Sequence, residues 1–108
     1  MNRIEITGRL TQDPDLQTTT TGKSIATLRL AIDRRDRDAD PVYVDVKCWN
    51  GLADTCAKFL SKGRLVAVAG RLDYSEWKAE DGTRRSKHEV VADDVDFLDR
   101  ASAEPSEA

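Results

Sequence analysis

A period-two alternation of apolar and polar residues runs through most of this chain, and it confines the fold to strands that are dry on one face and wet on the other. From Arg3 to Leu10, Ile4, Ile6, Gly8 and Leu10 share one side, and Arg3, Glu5, Thr7 and Arg9 share the other. From Ser24 to Ile32 the apolar set is Ala26, Leu28, Leu30 and Ile32, with Thr27 and Arg29 opposed. In VYVDVKCW, residues 42–49, Val42, Val44, Val46 and Cys48 form a clean apolar face. The other face of that stretch carries Tyr43, Asp45, Lys47 and Trp49, so two of the chain's six aromatics are aimed at solvent.

The segments between these strands are punctuated by turn formers. TQDPDLQTTTTGK, residues 11–23, reads as a connection with a short paired extension around Leu16. DRRDRDADP, residues 33–41, has only Ala39 to bury and reads as a solvated loop. After Trp49, Asn50 is placed to cap a helix of roughly ten residues, in which Leu52, Cys56 and Leu60 form a stripe widened by Ala53, Ala57 and Phe59. Lys62-Gly63 supplies the stop. A fourth strand starts at Arg64, carries a glycine at position 70 where it must bend or admit another backbone, and continues through Tyr74 to about Trp77. A turn around Asp81-Gly82 leads to a fifth strand, Lys87 to Ala92, with a closing segment through Val95, Phe97 and Leu98. Phe59 and Phe97 are expected in the core. Three strands, one helix and two strands, in that order, predict an all-β OB-fold: a five-stranded antiparallel Greek-key barrel with one α-helix between strands three and four. The expected domain is residues 1–99, followed by a short acidic tail, 100–108, without structure.

At 108 residues, 39% hydrophobic and 34% charged, the chain suits one soluble domain with a single core. No apolar run approaches the ~18 residues of a spanning helix, and MNRIEITGRL enters the alternating pattern directly, so a cytoplasmic address without membrane contact is expected. Cys48 and Cys56 form neither a disulfide framework nor a metal motif, and both fall on apolar faces. Catalysis finds no footing. His88 is the only histidine and has no nucleophile or carboxylate at a recognisable spacing, the Asp93-Asp94 side chains diverge on a strand, and phosphate-loop glycine patterns are absent. A non-enzymatic protein without metal or cofactor is expected. The net charge of −3 argues against nucleic acid at first, yet the acids gather after Ala92, and residues 1–92 hold 16 basic and 14 acidic side chains.

Tyr43 and Trp49 lie six residues apart on one face, ~20 Å along the strand, with Asp45 and Lys47 between them. Trp77 shares its parity with Arg71, Asp73 and Ser75, so a third aromatic falls among polar groups. Bases of a single strand expose flat faces at intervals along a charged backbone, and rings interleaved with cations fit that repeat at ~1–3 kcal/mol per stacked base. Tyr43, Trp49 and Trp77 are the candidate stacking residues, and Arg34, Arg35, Lys47, Arg71, Lys78, Arg84 and Arg85 the candidate cationic path. Periodicity leaves a second reading open, in which the rings pack beneath a loop or against another subunit.

Several ordered blocks carry a resemblance: GRLTQDPDLQTTTTGKSIATLRLAIDR, then VDVKCWNGLADTCAKFLSKGRLVAVAGRL, then EDGTRR followed by EVVADDVDFL. Over residues 1 to 99 the chain resembles the bacterial single-stranded DNA-binding proteins. The resemblance implies an OB-fold that binds single-stranded DNA with little sequence preference during replication, recombination and repair, usually as a homotetramer, in the nucleoid-associated cytoplasm. It also implies that Tyr43, Trp49 and Trp77 are the stacking aromatics. A fourth family aromatic, on the loop between strands two and three, has no counterpart; that loop offers Arg34, Arg35 and Arg37 instead. The family's acidic tip with its apolar end, which recruits replication and repair proteins, is not matched by AEPSEA, which suggests a short member or a truncated chain. The alternative from another class is a primosomal-type OB subunit whose wet-face aromatics meet a protein.

Overall fold

The computed structural model describes residues 1–36 and 38–98. The expected tail at 100–108, and Arg37 in the charged loop, lie outside the described residues. The elements run β1 (Ile4–Leu10), β2 (Asp15–Thr18), β3 (Ser24–Ile32), β4 (Val42–Trp49), α1 (Asn50–Phe59), β5 (Leu65–Lys78) and β6 (Arg84–Phe97). The extension around Leu16 is thus a strand, β2, paired antiparallel to β3.

The five long strands close into a ring. β1 pairs with β5, β5 with β6, β6 with β4, β4 with β3, and β3 returns to β1 at Arg9–Ala31 and Leu10–Leu30. Every pairing is antiparallel except β4–β6, which is parallel and short, at Val46–Val90 and Lys47–Val91. That parallel closure follows from the order of elements: α1 leads the chain out of β4, and the β5–β6 hairpin re-enters on the far side of the sheet. The helix sits between β4 and β5, as the OB-fold reading requires.

The alternation sorts as the sequence predicts along most of each strand, except that Val42, expected on the dry face, is 40% exposed where β4 begins beside the charged loop. Ala26, Leu28, Leu30, Val46, Cys48, Val66, Val68 and Val90 point inward and are buried, and Ala53, Cys56 and Leu60 close the core over them. Each fully buried Leu or Val contributes roughly 1.5–3 kcal/mol over its exposed state. Cys48 and Cys56 are free and buried. Phe97 is half-buried against this cluster, whereas Phe59 is 55% exposed: the buried face of the helix runs through Ala53, Cys56 and Leu60, and Phe59 lies beside that stripe with Lys58 over its ring. The helix begins differently from the expectation as well. Trp49 holds the cap position without a side-chain bond, and Asn50 adopts φ 57°, a left-handed turn that asparagine tolerates.

Gly70 is where β5 leaves the ring. A Cβ there would lie 2.1 Å from the Val91 carbonyl oxygen, so only glycine lets the two backbones approach. The register between β5 and β6 slips at this point, with Ala69 opposite Asp94 and Gly70 opposite Ala92. Beyond it the hairpin continues as a two-stranded arm. Residues 71–78 and 84–88 are all exposed, on both faces. The arm ends in a turn in which Gly82 takes φ 87° and Asp81 accepts hydrogen bonds from the Thr83 amide and hydroxyl at 3.0 and 2.6 Å.

Candidate nucleic-acid interface

Antiparallel register assigns the outer faces. Across β3 and β4, Ile25 lies opposite Trp49, Thr27 opposite Lys47, Arg29 opposite Asp45, and Ala31 opposite Tyr43. All of these point away from the buried Ala26, Leu28, Val46 and Cys48. Tyr43 is 52% exposed and Trp49 38% exposed, one toward each end of β4. The Arg29 guanidinium lies over the Tyr43 ring, its Cζ 5.3 Å from the centroid, and the ring still keeps half of its surface exposed.

On the arm, Trp77 lies opposite Arg85, Ser75 opposite Lys87, Asp73 opposite Glu89, and Arg71 opposite Val91. Two ion pairs join this face to the outer face of β4. Lys87 Nζ donates to Asp45 Oδ2 at 2.5 Å, and Lys47 Nζ stands 3.3 Å from Glu89 Oε1. The Trp77 face of the arm and the Tyr43–Trp49 face of the sheet are therefore one surface. Because β4 and β6 are parallel, the arm leaves the ring at the end of β4 that carries Tyr43. That end also receives the loop bearing the exposed Arg34 and Arg35.

The middle of this surface is an alternating charge network. Asp45 accepts from Arg29 Nη1 at 3.1 Å as well as from Lys87, and Lys87 also lies 4.0 Å from Glu89 Oε2. Glu89 is the buried charged residue among those described, and Asp45 keeps 15% of its side chain exposed. Burial alone would raise the Asp45 carboxyl; the hydrogen bonds and charges of Lys87 and Arg29 outweigh it and hold the group below its ordinary range.

The sequence-derived candidates divide on this map. Tyr43, Trp49, Trp77, Lys47, Arg71 and Arg85 share the continuous face, and Arg34 and Arg35 stand at its end. Lys78 and Arg84 oppose each other on the reverse face of the arm, near its tip. Lys47 is on the path but held by Glu89. Arg29 and Lys87 were not among the candidates, although both touch the network. Arg29 has the outward parity in the sequence; its place beside Tyr43 follows only from the β3–β4 register. Among the described residues no group of three or more His, Cys, Asp or Glu side chains is arranged to hold a metal ion, and no helix is long and apolar enough to cross a membrane.

The Single-strand binding protein family matches residues 1–98. The chain is 41% identical over 110 residues to a single-stranded DNA-binding protein of Clostridium tetani, an alignment covering 98% of this chain and 76% of that one. It is 39% identical to single-stranded DNA-binding protein 3 of Clostridium acetobutylicum over 95% of this chain and 74% of the relative. It is likewise 39% identical to a single-stranded DNA-binding protein of Bacillus cereus, over 92% of this chain and 61% of the relative. The alignments run through the ring of strands, the helix and the arm alike, and on them the chain belongs to the single-strand binding protein family.

Proposed function

We propose that this chain binds single-stranded DNA without sequence preference, by stacking bases on Tyr43, Trp49 and Trp77 while Arg34, Arg35, Arg71 and Arg85 take phosphates. The observation that carries the reading is the continuity of the surface. Tyr43, Trp49 and Trp77 are 52%, 38% and 48% exposed on two elements that the Lys87–Asp45 and Lys47–Glu89 pairs tie into one face. Every base has a π-face, so such a row of rings is indifferent to sequence. The role is non-catalytic: occupation and protection of unpaired strands in replication, recombination and repair, in the nucleoid-associated cytoplasm. Assembly is as a homotetramer. The support within the fold is β1, whose residues from Ile4 to Gly8 pair with β5 on one side only and leave a strand edge open to another subunit.

Titration with oligodeoxythymidine at low salt, followed by tryptophan fluorescence, tests the reading. Quenching on binding is expected, with Trp49→Ala and Trp77→Ala each weakening affinity by about 1–3 kcal/mol. Unchanged fluorescence and unchanged affinity would sink the proposal. A changed sedimentation coefficient in the Ala variants, with DNA affinity intact, would instead assign the rings to a protein contact.

A further inference from the structure

The arm has a second face. On the side away from Trp77, Tyr74 lies opposite His88, Glu76 opposite Ser86, and Lys78 opposite Arg84. The Tyr74 and His88 rings stand 4.7 Å apart, tilted by 48°. Tyr74 is exposed, and its hydroxyl donates to Glu76 Oε2 at 2.7 Å, while Glu76 Oε1 lies 3.5 Å from Arg84 Nη2. The ring pair is thus held in position in water, with no part of the described chain covering it.

Two surface concavities connect this pair to Trp77. One, of about 220 Å³, is lined by Tyr74, Glu76, Arg84, Arg85 and Ser86. The other, of about 250 Å³, is lined by Glu76, Trp77, Lys78 and Arg84. They share Glu76 and Arg84, so a continuous depression leads from Trp77 round the edge of the arm to Tyr74. Three cations, Lys78, Arg84 and Arg85, flank it, and its one acid, Glu76, is already held by Arg84 and Tyr74.

We propose that Tyr74 and His88 form a second base-stacking platform, which takes bases of the same single strand after it has passed Trp77 and rounded the arm. The proposal rests on the reading that Trp77 stacks on DNA. Tyr74 is three residues from Trp77, ~10 Å along the strand, so the bend is short. A protein partner fits less well. The exposed large hydrophobics on this face are Leu72 and Tyr74, two residues where a stable protein contact takes about 20–30 a side. Flat rings beside paired cations are what bases and phosphates require.

The test uses the whole chain and two labelled oligodeoxythymidines, one of roughly 8 nucleotides, within the site of one OB-fold, and one several times longer. Anisotropy titrations at low salt are run beside sedimentation velocity. The double variant Tyr74→Ala with His88→Ala is expected to bind the long probe about tenfold more weakly and the short probe within about twofold of the parent, with unchanged sedimentation. Tyr74→Phe keeps the ring and is expected to bind both as the parent does. Parental affinity of the double variant for the long probe overturns the proposal. So does a changed sedimentation coefficient with parental DNA affinity, which would give the face to a second copy of the chain. Trp77→Ala on the long probe separates the failures: if it weakens binding while the double variant does not, only the second platform falls, and if neither weakens binding, the Trp77 reading falls with it.

Discussion

Asp45 puts a carboxylate midway between the exposed rings of Tyr43 and Trp49, where a phosphate on the proposed DNA path would be repelled, and its surroundings explain why it is tolerated. Arg29 and Lys87 neutralise it at 3.1 and 2.5 Å and are themselves held in place by it. Stability and affinity should therefore respond to its removal with opposite signs. Since its folded carboxyl is held below the ordinary value of 3.8, its ion pairs stabilise the fold fully above that value. The contribution is lost as pH falls from there through the lower folded value. Asp45→Asn should be less stable to urea by about 1 kcal/mol at neutral pH, with the gap closing below pH 4. The same variant releases two cations on the binding face and should bind oligodeoxythymidine about three- to tenfold more tightly at low salt. Weaker binding would show that Asp45 positions Arg29 for DNA rather than withholding it. The buried thiols give a second expectation at this scale. Hydrogen bonding to Cys56 and burial push the Cys48 thiol up, so it should resist a disulfide reagent in the native protein and react only after denaturation.

Among the elements, the β5–β6 hairpin depends most on a single residue. Gly70→Ala would drive a methyl group into the Val91 carbonyl oxygen, and no flexible side chain is there to yield. The strands must separate where β5 leaves the ring, at a cost of about 1–3 kcal/mol or more, read as a lower thermal midpoint. An unchanged midpoint would mean that the arm does not depend on this close approach. This glycine was legible in the sequence, because a glycine inside an alternating strand signals a bend or a close backbone. The start of β6 was not. Strand pairing begins at Arg84, three residues before the alternation suggests. On an arm wet on both faces, alternation carries no information, and TRRS reads as loop. Phe59 was misplaced for a related reason: it borders the helical stripe in sequence, but how much of that stripe the core covers depends on tertiary packing, which takes Ala53, Cys56 and Leu60 and leaves Phe59 out. Lys47 was legible as outward-facing, while its pairing with Glu89 arises from the parallel β4–β6 closure, which brings together residues far apart in sequence.

For the whole molecule, a net charge of −3, with 16 basic against 14 acidic side chains in residues 1–92, supplies no broad positive field to gather DNA, so on the proposed reading binding rests on the composition of one face. Among the described residues on that face and its loop, Arg34, Arg35, Arg71 and Arg85 have no carboxylate partner, whereas Arg29, Lys47 and Lys87 are engaged by Asp45 and Glu89. The two groups give different salt dependences. If only the four unpaired arginines meet phosphates, the logarithm of affinity should fall against the logarithm of salt with a slope of about −3. If the network opens and its three cations also bind phosphate, the slope should be about −5. Because Asp45 and Glu89 are largely shielded and hold their partners before any DNA arrives, the shallower slope is expected, with stacking supplying most of the affinity. Asp45→Asn should steepen it by about 1, as Arg29 and Lys87 begin to compete for phosphate. A parental slope near −5 that the variant leaves unchanged would show that the acids offer no resistance to DNA. The ion pairs would then tie the arm to the sheet without limiting affinity.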